Sequence, residues 1–188
     1  MNKKILISTG GSGGHVIPAT IIYKHLENNF EVSMTSDFRG VKFLNKDEYN
    51  LKIFNVRPIS RNLLIMPFDF LLMIILIFKS VSFLKKNKIN ILISTGGYMS
   101  LPLCLGAKIL NIKLLLFEPN MVLGRSNKFF TSYCQKIFCY SNNIKKFPIK
   151  FKNKIKVIPA LLRKNFYDKG DNNNSLDTIN LLIIGGYR

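Results

Sequence analysis

The sequence predicts an α/β protein built on a parallel sheet with helices on both faces. Three observations carry this. Short apolar runs recur at residues 3–8, 89–94, 113–117 and 137–141 without polar alternation, as in strands covered on both sides. Between them lie helical segments, so strand and helix alternate along the chain. Two of the runs end in glycine turns, at residues 9–14 and 95–97. In sheets of this kind ligands bind outside the carboxyl ends of the strands, where both turns fall.

In order, residues 3–8 form a buried strand, and a glycine turn leads into a helix that runs to about residue 28. Pro18 suits the first turn of that helix, where its missing N–H costs nothing. Residues 30–35 form a second strand, 41–50 a short helix and 51–56 a third strand. Residues 63–86 form a long apolar helix ending in Lys85-Lys86-Asn87-Lys88. A strand at 89–94, a helix at 99–110, a strand at 113–117 and a helix at 124–133 follow, then strands at 137–141 and 155–158. Residues 1–165 therefore read as one domain. Residues 166–178, Asn-rich and nearly without apolar side chains, read as a linker. Residues 179–188 read as the first strand of a second α/β domain whose remainder is absent, ending in Gly185-Gly186-Tyr187-Arg188.

Composition bounds the possibilities. The chain has 188 residues, 47% of them apolar, enough for a substantial core, and a formal charge of +18. Such a charge attracts polyanions. Ile, Asn and Lys are abundant throughout, as in AT-rich coding sequence, so drift and a functional basic surface share the excess. Nucleic acid is not an expected partner: Trp is absent, and no Lys/Arg-rich stretch is interleaved with stacking aromatics. Cys104, Cys134 and Cys139 form no CxxC pair, so they read as reduced, half-buried thiols, and no metal site is expected. The apolar run after Lys3-Lys4 is too short for a signal peptide, which places the protein on the cytoplasmic side.

The sharpest motif is Gly10-Gly11-Ser12-Gly13-Gly14-His15, with four glycines in five residues. Glycine lets backbone approach a ligand closely, and bare N–H groups at the following helix start favour an anion by about 0.3–1 kcal/mol. A phosphate or diphosphate is the natural ligand. The Walker loop fails, because His15 follows Gly14 where Lys is required. The dinucleotide fingerprint is incomplete, with Val16 at its third glycine position, although Asp37 stands where a ribose-binding acid would. A dinucleotide-binding protein is therefore the weaker alternative. Gly96-Gly97-Tyr98 repeats the arrangement, and the two turns read as two walls of one cleft. His15 suits a general base or a phosphate ligand. Glu118 is a second acid/base candidate or an orienting residue. Arg125 and Lys128 flank Asn127 at a helix start, suited to phosphate contacts or to a solvated face.

Residues 8–19, 94–120 and 124–128 resemble the MurG family, bacterial N-acetylglucosaminyltransferases that convert lipid I to lipid II in peptidoglycan synthesis. The resemblance implies the GT-B architecture, two Rossmann-like domains facing a cleft, with this chain as the amino-terminal, acceptor-side domain. It implies an inverting hexosyltransferase using UDP-N-acetylglucosamine as co-substrate, the lipid I diphosphate as acceptor and no cofactor. Ser12, Gly13 and Gly14 fall where the family's first loop meets donor and acceptor diphosphate. Asn120 closes the segment that is His-Glu-Gln-Asn in the family and Phe117-Glu118-Pro119-Asn120 here. Arg163 falls at a donor-contacting arginine, in Pro159-Ala160-Leu161-Leu162-Arg163 where the family has Gly-Asn-Pro-Val-Arg. Tyr187 stands where the family has Ser. Gly96, Gly97, Tyr98 and Asn127 complete the substrate-binding set, with His15 and Glu118 as catalytic candidates. A non-catalytic fragment, or one subunit of a split enzyme completed by a partner, is the other expectation.

Residues 71–78 are continuously apolar, but Pro67 and Asp69 interrupt the preceding run. A membrane span needs ~20 apolar residues, and a mid-bilayer Asp costs roughly 2.5–3.5 kcal/mol. The expectation is a helix lying partly in the interface, ringed by Arg57, Arg61, Lys79, Lys85, Lys86 and Lys88. Each such cation adds about 1 kcal/mol on an anionic leaflet. This makes the protein peripheral, at the cytoplasmic face of the bacterial membrane.

Overall fold

The computed structural model describes residues 3–57, 60 and 62–162. Seven strands, β1 (Lys4–Ser8), β2 (Glu31–Ser36), β3 (Leu51–Ile53), β4 (Ile91–Ser94), β5 (Lys113–Glu118), β6 (Lys136–Cys139) and β7 (Ile155–Val157), form one sheet. Their order is β3-β2-β1-β4-β5-β6-β7, and every pairing is parallel. The chain moves outward from β1 to β3 and then crosses back to start β4 on the other side of β1. The β1/β4 boundary is therefore the point where the strand order reverses, and both glycine turns leave from it.

The continuous apolar runs have the expected cause. Ile5 and Ile7 join Ala19, Tyr23, Val32, Met34 and Ile93 on one face, under α1 (Gly13–Leu26). Leu6 points the other way, into a larger cluster with Leu92, Leu114, Leu116 and Ile137. That second face is covered by α3 (Met66–Lys86) and α4 (Leu101–Ile109), which contribute Met73, Leu84, Leu103 and Cys104. Because successive side chains on one strand feed different layers, both must be apolar. All three cysteines are buried free thiols rather than half-buried ones. Burial pushes the Cys104 and Cys139 thiols up to about 12, so neither is a nucleophile.

Several expected boundaries shift. The single helix expected at 41–50 is replaced by a one-turn helix α2 (Phe38–Val41) and a 3₁₀ turn at Lys46–Glu48. The Asp37 carboxylate starts the helix early by accepting Gly40 N–H, and the amides of Phe43 and Leu44 then close tight turns onto Gly40 and Val41. Pro18 lies inside α1 rather than in its first turn, because the helix begins at Gly13. The helix expected at 124–133 is α5 (Arg125–Phe130). The Lys154 ammonium caps its far end, donating to the carbonyls of Thr131, Ser132 and Cys134 at 3.0, 2.7 and 2.7 Å. The linker and final strand expected at 166–188 lie outside the described residues, as do Arg61 and Arg163.

α3 leans on α4 through small residues. Ser80 is buried and bonds back to Leu76 O, and Gly106 faces it. A Cβ on Gly106 would come within 3.3 Å of Ser80 Cβ, of Leu84 Cδ1 and of the Val81 backbone nitrogen. The backbone atom cannot step aside independently. Gly106→Val is therefore expected to overpack this seam and lower stability by about 1–3 kcal/mol in chemical denaturation.

Candidate functional site

The two glycine corners meet. Thr95 Oγ1 donates to Thr9 Oγ1 at 2.8 Å, both side chains being fully buried, and Thr95 N–H donates to Ser8 O at 3.1 Å. Gly11, Gly96 and Gly97 have φ of 80°, 89° and 83°, a region open to glycine and strained for other residues. A Cβ on Gly97 would sit 3.4 Å from Gly10 O. The corners are thus in van der Waals contact across the β1/β4 boundary.

His15 spans them. Its Nδ1 lies 2.7 Å from Thr95 O. A carbonyl only accepts, so Nδ1 carries the proton, and the neutral ring presents Nε2 as an acceptor. The ring packs on the second corner: a Cβ on Gly96 would be 3.4 Å from His15 Cε1 and 3.2 Å from Asn127 Nδ2. Glycine at 96 is what allows His15 and Asn127 to flank one spot. Ser12 is the N-cap of α1 but its hydroxyl makes no capping bond. The first helical amides, those of Gly13 and Gly14, have no acceptor within the helix. Ser12 and Gly14 are exposed and Gly13 is partly so.

The β5 corner is organised by Glu118, which is 1% exposed. Its Oε1 accepts from Asn120 N–H and Nδ2–H at 3.2 and 2.9 Å. Its Oε2 accepts from Gly124 N–H and Asn127 Nδ2–H at 2.8 and 3.0 Å. Four donors occupy the carboxylate, so of the two roles weighed for it the geometry supports the orienting one. Asn127 also donates to Phe117 O at 3.1 Å, which fixes the amide's orientation. Ser100 ties the second corner to α5, donating to Gly97 O at 2.8 Å and meeting Ser126 Oγ at 3.1 Å.

These groups lie along a cavity of about 900 Å³. His15, Gly96, Gly97, Tyr98, Glu118, Asn120, Arg125 and Asn127 line it from the corners and the start of α5. Phe70, Met73, Ile74 and Ile77 of α3, Leu101 and Leu105 of α4, and Phe129 supply its apolar lining. Such a cavity suits an amphiphile with a polar head and an apolar chain. Of the residues expected from sequence, His15, Gly96, Gly97, Tyr98, Glu118, Asn120 and Asn127 come together here, and Ser12, Gly13 and Gly14 stand at the adjoining corner. Arg163 lies outside the described residues. The apolar wall escaped the sequence reading, because single Leu and Phe residues on two helices carry no signal until the helices pack.

Asp37 has a different task from the ribose contact weighed for it. It is 2% exposed, and its Oδ1 accepts from Gly11 N–H and Gly40 N–H, each at 2.8 Å. Its Oδ2 pairs with Arg39 at 2.9 Å. A carboxylate so enclosed holds the first corner in place and offers nothing to a ribose. Burial alone would raise its pKa. The two amides and the Arg39 guanidinium outweigh burial and hold it below the usual 3.8.

The sequence profile described as the glycosyltransferase family 28 N-terminal domain matches residues 5–139. A UDP-N-acetylglucosamine–N-acetylmuramyl-(pentapeptide) pyrophosphoryl-undecaprenol N-acetylglucosamine transferase of Pelagibacter ubique is 90% identical over 186 residues, 99% of this chain and 52% of its own length. A protein of the same name from Rickettsia canadensis is 34% identical over 193 residues, 98% of this chain and 52% of its own. The chain thus spans about half the length of the curated relatives it matches. Among solved structures, Acinetobacter baumannii MurG superposes with a TM-score of 0.72 at 25% identity, covering 98% of this chain and 52% of that one. An S. aureus MnaA–UDP co-structure superposes with a TM-score of 0.60 at 14% identity, over 82% of this chain and 43% of that one, and shares the fold.

A carboxylate whose folded pKa is depressed contributes stability that is complete above its unfolded value. That contribution disappears as pH falls through the lower folded value. For Asp37 the window lies at and below about pH 3.8. Asp37→Asn is expected to cost about 1–3 kcal/mol at pH 7, since it removes charged hydrogen bonds to buried donors. It should also flatten the acid limb of the stability curve, measured by chemical denaturation at stepped pH.

Proposed function

Because this chain belongs to the glycosyltransferase family 28 N-terminal domain family, we propose that it forms the acceptor-side half of a transferase that moves N-acetylglucosamine from UDP-N-acetylglucosamine to lipid I, giving lipid II. The observation that carries this reading is the meeting of two glycine corners around His15 beside a cavity lined by both polar groups and an apolar wall. The acceptor named for the relatives, a muramyl-peptide pyrophosphoryl-undecaprenol, has that same division.

In the proposed reaction the bare amides of Gly13 and Gly14 and the Ser12 hydroxyl bind diphosphate oxygens. A hydroxyl of the muramyl sugar attacks the anomeric carbon of the donor sugar. The bond from that carbon to the UDP oxygen breaks, and UDP leaves with the electron pair. The hydroxyl proton passes to Nε2 of His15, whose Nδ1–H stays anchored on Thr95 O. Glu118 holds Asn120 and Asn127 in place. The gain comes chiefly from positioning and from fixed dipoles around the reacting groups. The donor's remaining contacts come from a second domain, in keeping with the half-length match to the relatives. If that domain were a separate polypeptide, the chain would be one subunit of a split enzyme.

The same reading takes α3 to an anionic membrane surface. Leu64 at its entrance is 90% exposed, Phe78 69% and Phe68 60%, and its apolar window is 17% buried. By length and composition the helix passes for a membrane span. Its buried line Met73, Ser80 and Leu84 packs against the domain, and Asp69 accepts Ser60 N–H at 2.7 Å, which favours lying in the interface over crossing it. Exposed Arg57, Lys79, Lys85, Lys86 and Lys88 supply the cationic rim.

The test uses the full-length protein with UDP-N-acetylglucosamine and a lipid I analogue. Lipid II should form, and His15→Ala should lower kcat by about 10²–10⁴-fold, the range for a general base. Absence of product from a correctly folded protein would sink the reading.

A further inference from the structure

On the β2 side of the first glycine corner, away from the apolar wall, lies a cation that the reaction described above leaves unused. Arg39 is held by Asp37: its Nε and Nη2 both meet Oδ2 at 2.9 Å. Asp37 is itself locked onto Gly11 and Gly40, so the guanidinium is indexed to the corner it flanks. Arg39 Nη2 would lie 3.8 Å from a Cβ on Gly11. The carboxylate of the pair is 2% exposed, but the Arg39 side chain is 57% exposed. Two of the five guanidinium N–H donors are used on Asp37, and the others have no acceptor among the described residues. The neighbouring surface is half apolar. Phe43 and Ile17 are 52% and 43% exposed, and the Phe43 ring would meet a Cβ on Gly13 at 3.4 Å.

A structural ion pair needs only the bonds to Asp37. An arginine oriented by a buried carboxylate, its side chain largely exposed at the glycine corner that the same carboxylate holds, is arranged for an external oxyanion. We propose that Arg39 is a side-chain cation of the acceptor site, its outward N–H groups binding an oxyanion of the acceptor on the β2 side of the first corner. This rests on the transferase reading above. The oxyanion is either a diphosphate oxygen or a carboxylate of the acceptor's peptide, and the two sources are separable.

The experiment compares the full-length enzyme with Arg39→Gln, which keeps an N–H for Asp37 but loses the charge, and with Arg39→Lys and Arg39→Ala. Folding is checked by thermal melting. KM is measured separately for UDP-N-acetylglucosamine, for a lipid I analogue carrying its peptide and for the same analogue without it. Arg39→Gln should raise the acceptor KM about tenfold or more, as for loss of a charged hydrogen bond, with partial recovery in Arg39→Lys and little change in donor KM. A rise with both analogues supports the proposal and assigns the diphosphate. A rise confined to the peptide-bearing analogue supports it and assigns the carboxylate. An unchanged acceptor KM in folded Arg39→Gln, or a rise in donor KM alone, overturns it. Absence of product from the unaltered enzyme would overturn the transferase reading itself, a distinct result.

Discussion

The hydrogen bond from His15 Nδ1 to Thr95 O joins two loops that are 80 residues apart in the chain. Everything proposed for the site depends on it. It sets the imidazole tautomer and fixes the spacing between the start of α1 and the second glycine corner. Beneath it the Thr95–Thr9 hydroxyl pair makes the same connection in the interior. A side chain on Gly96 would crowd Asn127 and His15, and positive φ at Gly96 and Gly97 disfavours any other residue, so glycine there is as much a part of the junction as the bond.

Around this junction the carboxyl ends of the central strands carry an unusual load of buried polar groups: Ser8, Thr9, Thr35, Ser36, Asp37, Ser94, Thr95, Ser100, Glu118 and Asn127. Burying such groups is costly unless each finds a partner. For three of them the partners are the corner backbones themselves. Asp37 takes Gly11 and Gly40, Glu118 takes Asn120 and Gly124, and Ser94 takes Gly96. The loops are therefore held from below, and their upper surface stays open for a ligand. Glycine-rich loops would otherwise lose much conformational freedom on ordering. The buried polar layer is what makes them rigid enough to orient a substrate.

α3 follows the opposite rule. It buries one narrow line against α4 and leaves large apolar side chains in the open, among them Phe68, Phe70, Leu71 and Phe78. Phe70, Met73, Ile74 and Ile77 of the same helix also line the cavity. One element thus links the apolar lining of the cavity to the apolar surface of the domain.

Local chemistry was enough to read the strands, the two glycine corners and the long apolar helix, because strand burial, positive φ and helix hydropathy are properties of neighbouring residues. His15, Gly96, Gly97 and Asn120 were legible as site residues for that reason and through the family motifs that contain them. What only the tertiary structure decided is who meets whom. Parallel pairing of β1 with β4 brings the corners together, and no local pattern encodes a contact across 86 residues. The tasks of Asp37 and Glu118 likewise depend on donors that arrive from elsewhere in the fold or from a loop folding back. A carboxylate looks the same in sequence whether it is free to take a proton or saturated by four N–H groups. Only the packed structure, by removing water and supplying those donors, makes the distinction.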